Sequence, residues 1–265
     1  MEFTTYRCTA YPIELAICDS THTLIAGATK SGKSVLLKRV IRCLCAKGAN
    51  LALIDPKKVE LGPWQDMVNV FGFADSVSSA LTLLERVCST MDARYSKIPQ
   101  WETTFAGPEL WVIIDEYADL VTVSEQEEAR RIKKLVQRIA QLGRAAGIHL
   151  VLATQRPTTD IIDGKIKVNL TTQVALHVRS AQDSRNVLGI AGAENLPVGT
   201  CMITDDMGHL SYEEIPFITV DECKDCAEFM EAQKPKKKPV TIPAAAPATV
   251  PEPAPKKRRW FFKTA

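Results

Sequence analysis

The chain has 265 residues, 46% of them hydrophobic and 24% charged, with a formal charge of +2. This balance suits a globular protein with a sizeable core and excludes a collagen, a mucin or a wholly disordered chain. No run approaches the ~18 to 20 consecutive apolar residues of a membrane-spanning helix, and Met1 to Ser20 lacks a basic start followed by an apolar run, so a cytoplasmic protein is expected.

Residues 1–20 read as a short lead-in, and a folded domain is expected over 21–232. Within it, short apolar runs rich in β-branched residues alternate with segments of helical period, which predicts an α/β fold of three layers with a mostly parallel sheet. Strands are expected at Thr23–Ala26, Leu51–Ile54, Val68–Phe71, Leu110–Ile114, His149–Ala153 and Thr172–Val178. The first runs into Gly27-Ala28-Thr29-Lys30-Ser31-Gly32-Lys33-Ser34, a complete G-x-x-x-x-G-K-[ST] phosphate loop, followed at once by a helix through Val35. Glycines let main-chain amides wrap phosphate oxygens and the helix start adds its positive end. Lys33 reaches the β and γ phosphates, and the Ser34 hydroxyl ligates magnesium.

Val77, Ala80, Leu81, Leu84, Val87, Cys88 and Met91 fall at helical spacing, as do Ile132, Leu135, Val136, Ile139 and Leu142; both stripes read as packing surface. Between them Leu110–Ile114 delivers Asp115 and Glu116 to the carboxyl end of a buried strand, where ligands of parallel sheets collect. Asp115 would hold magnesium and Glu116 would polarise the water that attacks the γ-phosphate, a pattern that argues for hydrolysis. Arg144 is placed at the end of a helix beginning just after these acids, where it serves either the helix dipole or a neighbouring subunit's site. The strand His149–Ala153 ends in Thr154-Gln155-Arg156-Pro157, and Gln155 has the chemistry of a γ-phosphate sensor. Asp163 to Asn169, with Lys165 and Lys167, is a candidate DNA-facing element against an ordinary solvated connection.

The eight cysteines read as reduced thiols. Cys223 and Cys226 form a lone C-x-x-C, which cannot complete a tetrahedral zinc site. Residues 233–265 form a proline-rich tail. From 234 onward it carries nine Lys or Arg against Glu252 alone, which leaves −6 on the rest of the chain. Its end, Lys256 to Ala265, sets Trp260, Phe261 and Phe262 directly after the four cations Lys256, Lys257, Arg258 and Arg259. DNA, an anionic membrane surface, and a portal or pore partner all suit that composition.

The segments Leu24 to Leu37, Leu53 to Leu61, Val112 to Leu120 and Gly143 to Pro157, continued by Asp183-Ser184-Arg185 and Gly192-Ala193-Glu194, resemble the motor domain of the FtsK/SpoIIIE DNA translocases over about residues 22–205. The resemblance implies a RecA-like P-loop ATPase that uses ATP and Mg2+, assembles as a homo-oligomeric ring, usually of six, and threads double-stranded DNA. It assigns Gly27 to Val35 to the nucleotide, Ser34 and Asp115 to magnesium, Lys33, Glu116 and Gln155 to catalysis, and Arg144 and Arg185 to sensing or to completing a neighbour's site. Lys30 stands where the family commonly has glycine. With about 20 residues ahead of the first strand and a proline-rich end, a minimal motor without a winged-helix domain is expected, suited to a plasmid, a conjugative element or a virus. Two alternatives stay open: a coupling protein or helicase acting on single-stranded DNA, and a nucleotide-dependent regulatory module with incidental turnover.

Overall fold

A computed structural model describes residues 10–233; the tail readings, from 234 onward, lie outside the described residues. Eight strands form one sheet in the order β3-β2-β4-β5-β1-β6-β7-β8. They are β1 (His22–Ala26), β2 (Asn50–Ile54), β3 (Val70–Ala74), β4 (Leu110–Ile114), β5 (Ile148–Thr154), β6 (Thr172–Leu176), β7 (Thr200–Thr204) and β8 (Leu210–Glu214). All pairings from β3 across to β6 are parallel, and β7 and β8 add an antiparallel edge.

The central strands alternate strictly. Leu110, Val112 and Ile114 of β4 enter one core while Trp111 and Ile113 enter the other, and Leu150 and Val151 of β5 divide the same way. Because both faces are covered, these strands read in sequence as unbroken apolar runs rather than as an in-out pattern. On one face lie α3 (Val77–Tyr95), α4 (Tyr117–Val123), α5 (Gln126–Leu142), the short α6 (Gly164–Lys167) and α7 (Ala181–Leu188). The other face is covered by α1 (Pro12–Cys18), α2 (Lys33–Ala46) and α8 (Val220–Ala232). Among the described residues no helix is long and apolar enough to cross a membrane.

Three expectations need correction. The third strand lies at 70–74 rather than 68–71, because Val68 is exposed and Gly72, which looks like a breaker, is instead where α3 packs: a Cβ there would stand 2.6 Å from Leu83 Cδ1. The helix expected to run from the acids to Arg144 is two helices. Ser124 turns extended (ψ 149°), and Glu125 restarts the chain with its amide donating to the Glu128 carboxylate at 3.3 Å. Arg144 itself sits in a separate 3-10 turn, Arg144–Ala146. Leu142, expected in the packing stripe, is exposed, as the last residue of α5.

At the amino end of the sheet His22 Nδ1 accepts the Leu150 amide at 3.0 Å and so fixes the β1–β5 register. Burial pushes its imidazole down to about 3, and His149, stacked on Trp111, is pushed down by burial as well.

Candidate active site

The phosphate loop leaves β1 braced on both neighbours: the Gly27 amide donates to the Thr154 carbonyl at 3.2 Å and the Ala28 amide to the His177 carbonyl at 2.8 Å. The turn is tight. A Cβ on Gly27 would meet Ser31 Oγ at 2.4 Å and Leu176 Cβ at 3.0 Å. Lys30 has φ +67° and Gly32 +107°. A side chain at position 30 therefore carries the ~1–2 kcal/mol of left-handed backbone that glycine avoids, which is why a glycine would suit that position. Gly32 caps α2, whose first-turn amides have no intrahelical carbonyl and, with the helix dipole, offer an anion site. The Ser31 hydroxyl is buried without a partner.

Lys33 is 6% exposed and points from α2 to the end of β4. Its ammonium donates to the Asp115 main-chain carbonyl and to Asp115 Oδ1 at 2.9 Å, and stands 3.7 Å from Glu116 Oε2. Glu116, 2% exposed, is fastened to β5 from the other side: Oε1 accepts from Thr154 Oγ1 at 2.9 Å and from the Gln155 amide at 3.0 Å, and Oε2 from the same amide at 3.1 Å. Thr154 in turn accepts the Arg156 amide at 3.0 Å. The Gln155 side chain accepts a hydrogen bond from Thr29 of the phosphate loop at 2.8 Å. Lys33, Asp115, Glu116, Gln155 and Thr29 thus converge from the ends of β1, β4 and β5. Next in the chain is Tyr117, whose hydroxyl is buried without a partner; burial pushes its phenol up.

The arginines stand apart. Arg144 is exposed just before β5, and that strand's seven residues, at ~3.3 Å each, put it ~20 Å from Thr154. Arg185 is exposed on α7 near Glu194, whose carboxyl is held below its usual range first by the Gly192 amide and, more distantly, by the Arg185 charge. Among the described residues neither arginine contacts the Lys33–Asp115–Glu116 cluster.

Thr154 and the loop after β2 were given no role from the sequence. Asp55, wholly buried, accepts the amides of Lys57, Glu60 and Leu61, and Lys57 pairs with Asp119. The signal was present in the block Leu53 to Leu61, but nothing in it names a partner. The lone C-x-x-C is split by the fold: Cys226 is buried beside Cys45 while Cys223 is half-exposed, and no group of three metal-ligating side chains occurs among the described residues.

These residues fit a nucleoside triphosphate with magnesium. The tight loop, the unpaired amides of α2, an unpartnered Ser31 hydroxyl and a buried ammonium supply donors for phosphate oxygens. Ser34 and Asp115 supply the hydroxyl and carboxylate that a hard cation sharing phosphate ligands needs.

The order of the sheet and a phosphate loop facing a strand-end acid pair define a RecA-like P-loop NTPase. Residues 8–105 and 100–159 match the FtsK/SpoIIIE family, and the chain belongs to it. It is 32% identical over 250 residues to the DNA translocase FtsK of Staphylococcus aureus, covering 84% of this chain and 31% of that protein. To the protein of that name from Oceanobacillus iheyensis it is 35% identical over 237 residues, covering 76% and 30%. The chain therefore spans about a third of the length of these relatives. Among solved structures it resembles the pCW3 conjugation coupling protein TcpA with ATPγS (26% identity, TM-score 0.70, 83% of this chain and 66% of that one). It shares its fold with the cytoplasmic domain of the Thermomonospora curvata type VII secretion ATPase EccC (21% identity, TM-score 0.65, 78% and 28%).

Proposed function

We propose that the chain hydrolyses ATP and uses the energy to move double-stranded DNA through a homo-oligomeric ring of about six subunits. The observation that carries this reading is the buried cluster of Lys33, Asp115 and Glu116 facing the phosphate loop, in a chain of the FtsK/SpoIIIE family. Gly27 to Val35 hold the phosphates through main-chain amides, and Lys33 moves its donors from Asp115 to the β and γ oxygens. Ser34 and Asp115 would hold magnesium, which when bound neutralises phosphate charge. Glu116 accepts the proton of the attacking water, and Gln155, tethered to Thr29, reports on the γ-phosphate. Arg144 lies too far along β5 to serve its own site, so its role, like that of Arg185, belongs to a neighbouring subunit.

The DNA contact falls on α6 and the β7–β8 turn. Lys167 and Val168 share a groove of about 490 Å³ with Asp205 and Gly208, and Lys165 is exposed beside it. With −6 on the chain outside the tail, such local cations rather than a broad basic face would meet the phosphates. A membrane, portal or pore partner for the tail rests on composition alone. The likeness to a conjugation coupling protein favours a second reading, in which the motor passes single-stranded DNA during transfer.

ATP turnover without DNA, with duplex and with single strands separates these readings. Duplex stimulation supports the proposal, preference for single strands supports coupling, and indifference to both leaves a regulatory module.

A further inference from the structure

Among the described residues Trp101 is the most exposed large apolar side chain, at 90%. It lies in the connection from α3 to β4, at the amino end of the sheet. That connection is held in place. The Phe105 amide donates to the Ala145 carbonyl at 2.8 Å, and Arg94, 4.8 Å over the Phe105 ring, donates to the Ala146 carbonyl at 2.9 Å and to the Pro108 carbonyl at 2.8 Å. Trp101 therefore stands on a fixed platform beside the Arg144 turn, and a rigid indole on a fixed backbone loses little entropy when it docks. A matching hollow lies on the other face of the sheet, where the start of α8 passes over the β2–β3 connection. Trp64 and Ile218, 1% and 5% exposed, floor an apolar groove of about 240 Å³, with Pro63, Val220 and Cys223 along its sides. At ~30 Å³ per water this is the space of about eight waters, enough for one bicyclic ring and too little for a helix. Lys38 also lines the groove, five residues along α2 from Lys33 and so about 7.5 Å from it.

We propose that Trp101 of one copy inserts into the Trp64–Ile218 groove of the next, and that this contact, repeated head to tail, carries Arg144 to the neighbour's nucleotide. This rests on the homo-oligomeric reading given above. The knob and the hollow lie on opposite faces of one sheet, so they cannot meet within a chain, and a contact between two different surfaces is the kind that closes a ring. The charges agree. Lys97 and Glu102, both exposed, flank Trp101, while the groove's rim carries Lys224, which lines it, and Asp221, whose only drawn contact with Lys224 is a loose 3.8 Å. Glu102 faces Lys224 and Lys97 faces Asp221, with no like charges opposed. A buried tryptophan at the centre of such a patch is the usual bearer of binding energy.

The test is sedimentation velocity of the full chain with magnesium and ATPγS, comparing wild type, Trp101→Ala, Trp101→Phe and Val220→Asp. Trp101→Ala and Val220→Asp each weaken self-association by at least about tenfold, and Trp101→Phe weakens it less. Melting temperatures stay within about 2 °C, because Trp101 is exposed and an acid in the first turn suits the α8 dipole. A short bismaleimide then joins Trp101→Cys to the native Cys223 of another chain, giving a ladder on a denaturing gel that disappears when Cys223→Ser is added. Wild-type association in Trp101→Ala, or a ladder that persists in Cys223→Ser, overturns the inference and leaves the ring reading standing. Weakening in Trp101→Ala with Val220→Asp at wild-type affinity overturns the groove as the receiving site. A wild-type chain that stays monomeric with ATPγS and duplex at every concentration overturns the ring reading beneath it.

Discussion

Thr154→Val tests how the fold holds Glu116, the proposed base. Valine keeps the shape of a fully buried side chain and removes the hydroxyl that donates to Glu116 Oε1 at 2.9 Å and accepts the Arg156 amide at 3.0 Å. A hydrogen bond to an ionised group is worth ~1.5–3 kcal/mol. The Gln155 amide still reaches both carboxylate oxygens, at 3.0 and 3.1 Å, so Glu116 keeps one tie to β5 and loses the other. With one of its anchors gone the carboxylate is held less firmly, so kcat falls by about tenfold with KM for ATP within about twofold, and stability falls by ~2 kcal/mol. Thr154→Ser restores kcat. Wild-type kcat in Thr154→Val, with the stability loss present, would mean that the Thr154 hydrogen bond does not position Glu116 for turnover.

Four further outcomes follow from the same geometry. Lys33→Ala loses ATP affinity by at least about tenfold in equilibrium binding, because it removes the buried ammonium that stands between the phosphate loop and Asp115, 2.9 Å from Oδ1. Glu116→Gln keeps ATP binding and loses turnover by ~10² or more; full-rate hydrolysis contradicts the base assignment. Gly27→Ala forces Ser31 Oγ and Leu176 apart, so nucleotide binding weakens although the fold melts within a few degrees of wild type; unchanged ATP affinity counts against the tight-loop argument. Stability should also fall with acid. His22 titrates at about 3 when folded and near ~6.5 when unfolded, so the unfolded chain takes the proton first and stability drops as pH falls from ~6.5 toward 3, by up to ~1.4 kcal/mol per unit, with His149 adding the same sign. Urea midpoints at pH 7, 6 and 5 measure this, and a slope undiminished in His22→Gln would refute the assignment.

The parts of the site that the sequence announces are those where chemistry fixes residue types over a contiguous stretch. Gly27 to Ser34 must curl round phosphates, and Asp115 and Glu116 must end an apolar strand, so both were legible, as was the α/β alternation that covers the sheet. What sequence reading does not show is convergence. Thr154 looks like any strand-end threonine until β5 is laid beside β4, and Lys57 like any loop lysine until Asp55 bends its loop toward Asp119. The two antiparallel strands escaped for a different reason. β8, Leu210–Glu214, is an edge strand with exposed Leu210 and Tyr212, so burial imposes no hydrophobic pattern on it. The length of β5 likewise decides that Arg144 stands away from its own site, a separation no local motif encodes.

The most direct measurement is ATP-dependent displacement of a triplex-forming strand from linear duplex DNA by the full chain, with Glu116→Gln alongside. The account predicts displacement that requires ATP hydrolysis, rises with duplex-stimulated turnover and vanishes in Glu116→Gln. A protein that turns over ATP at the same rate with and without duplex, and leaves the triplex in place, would contradict it.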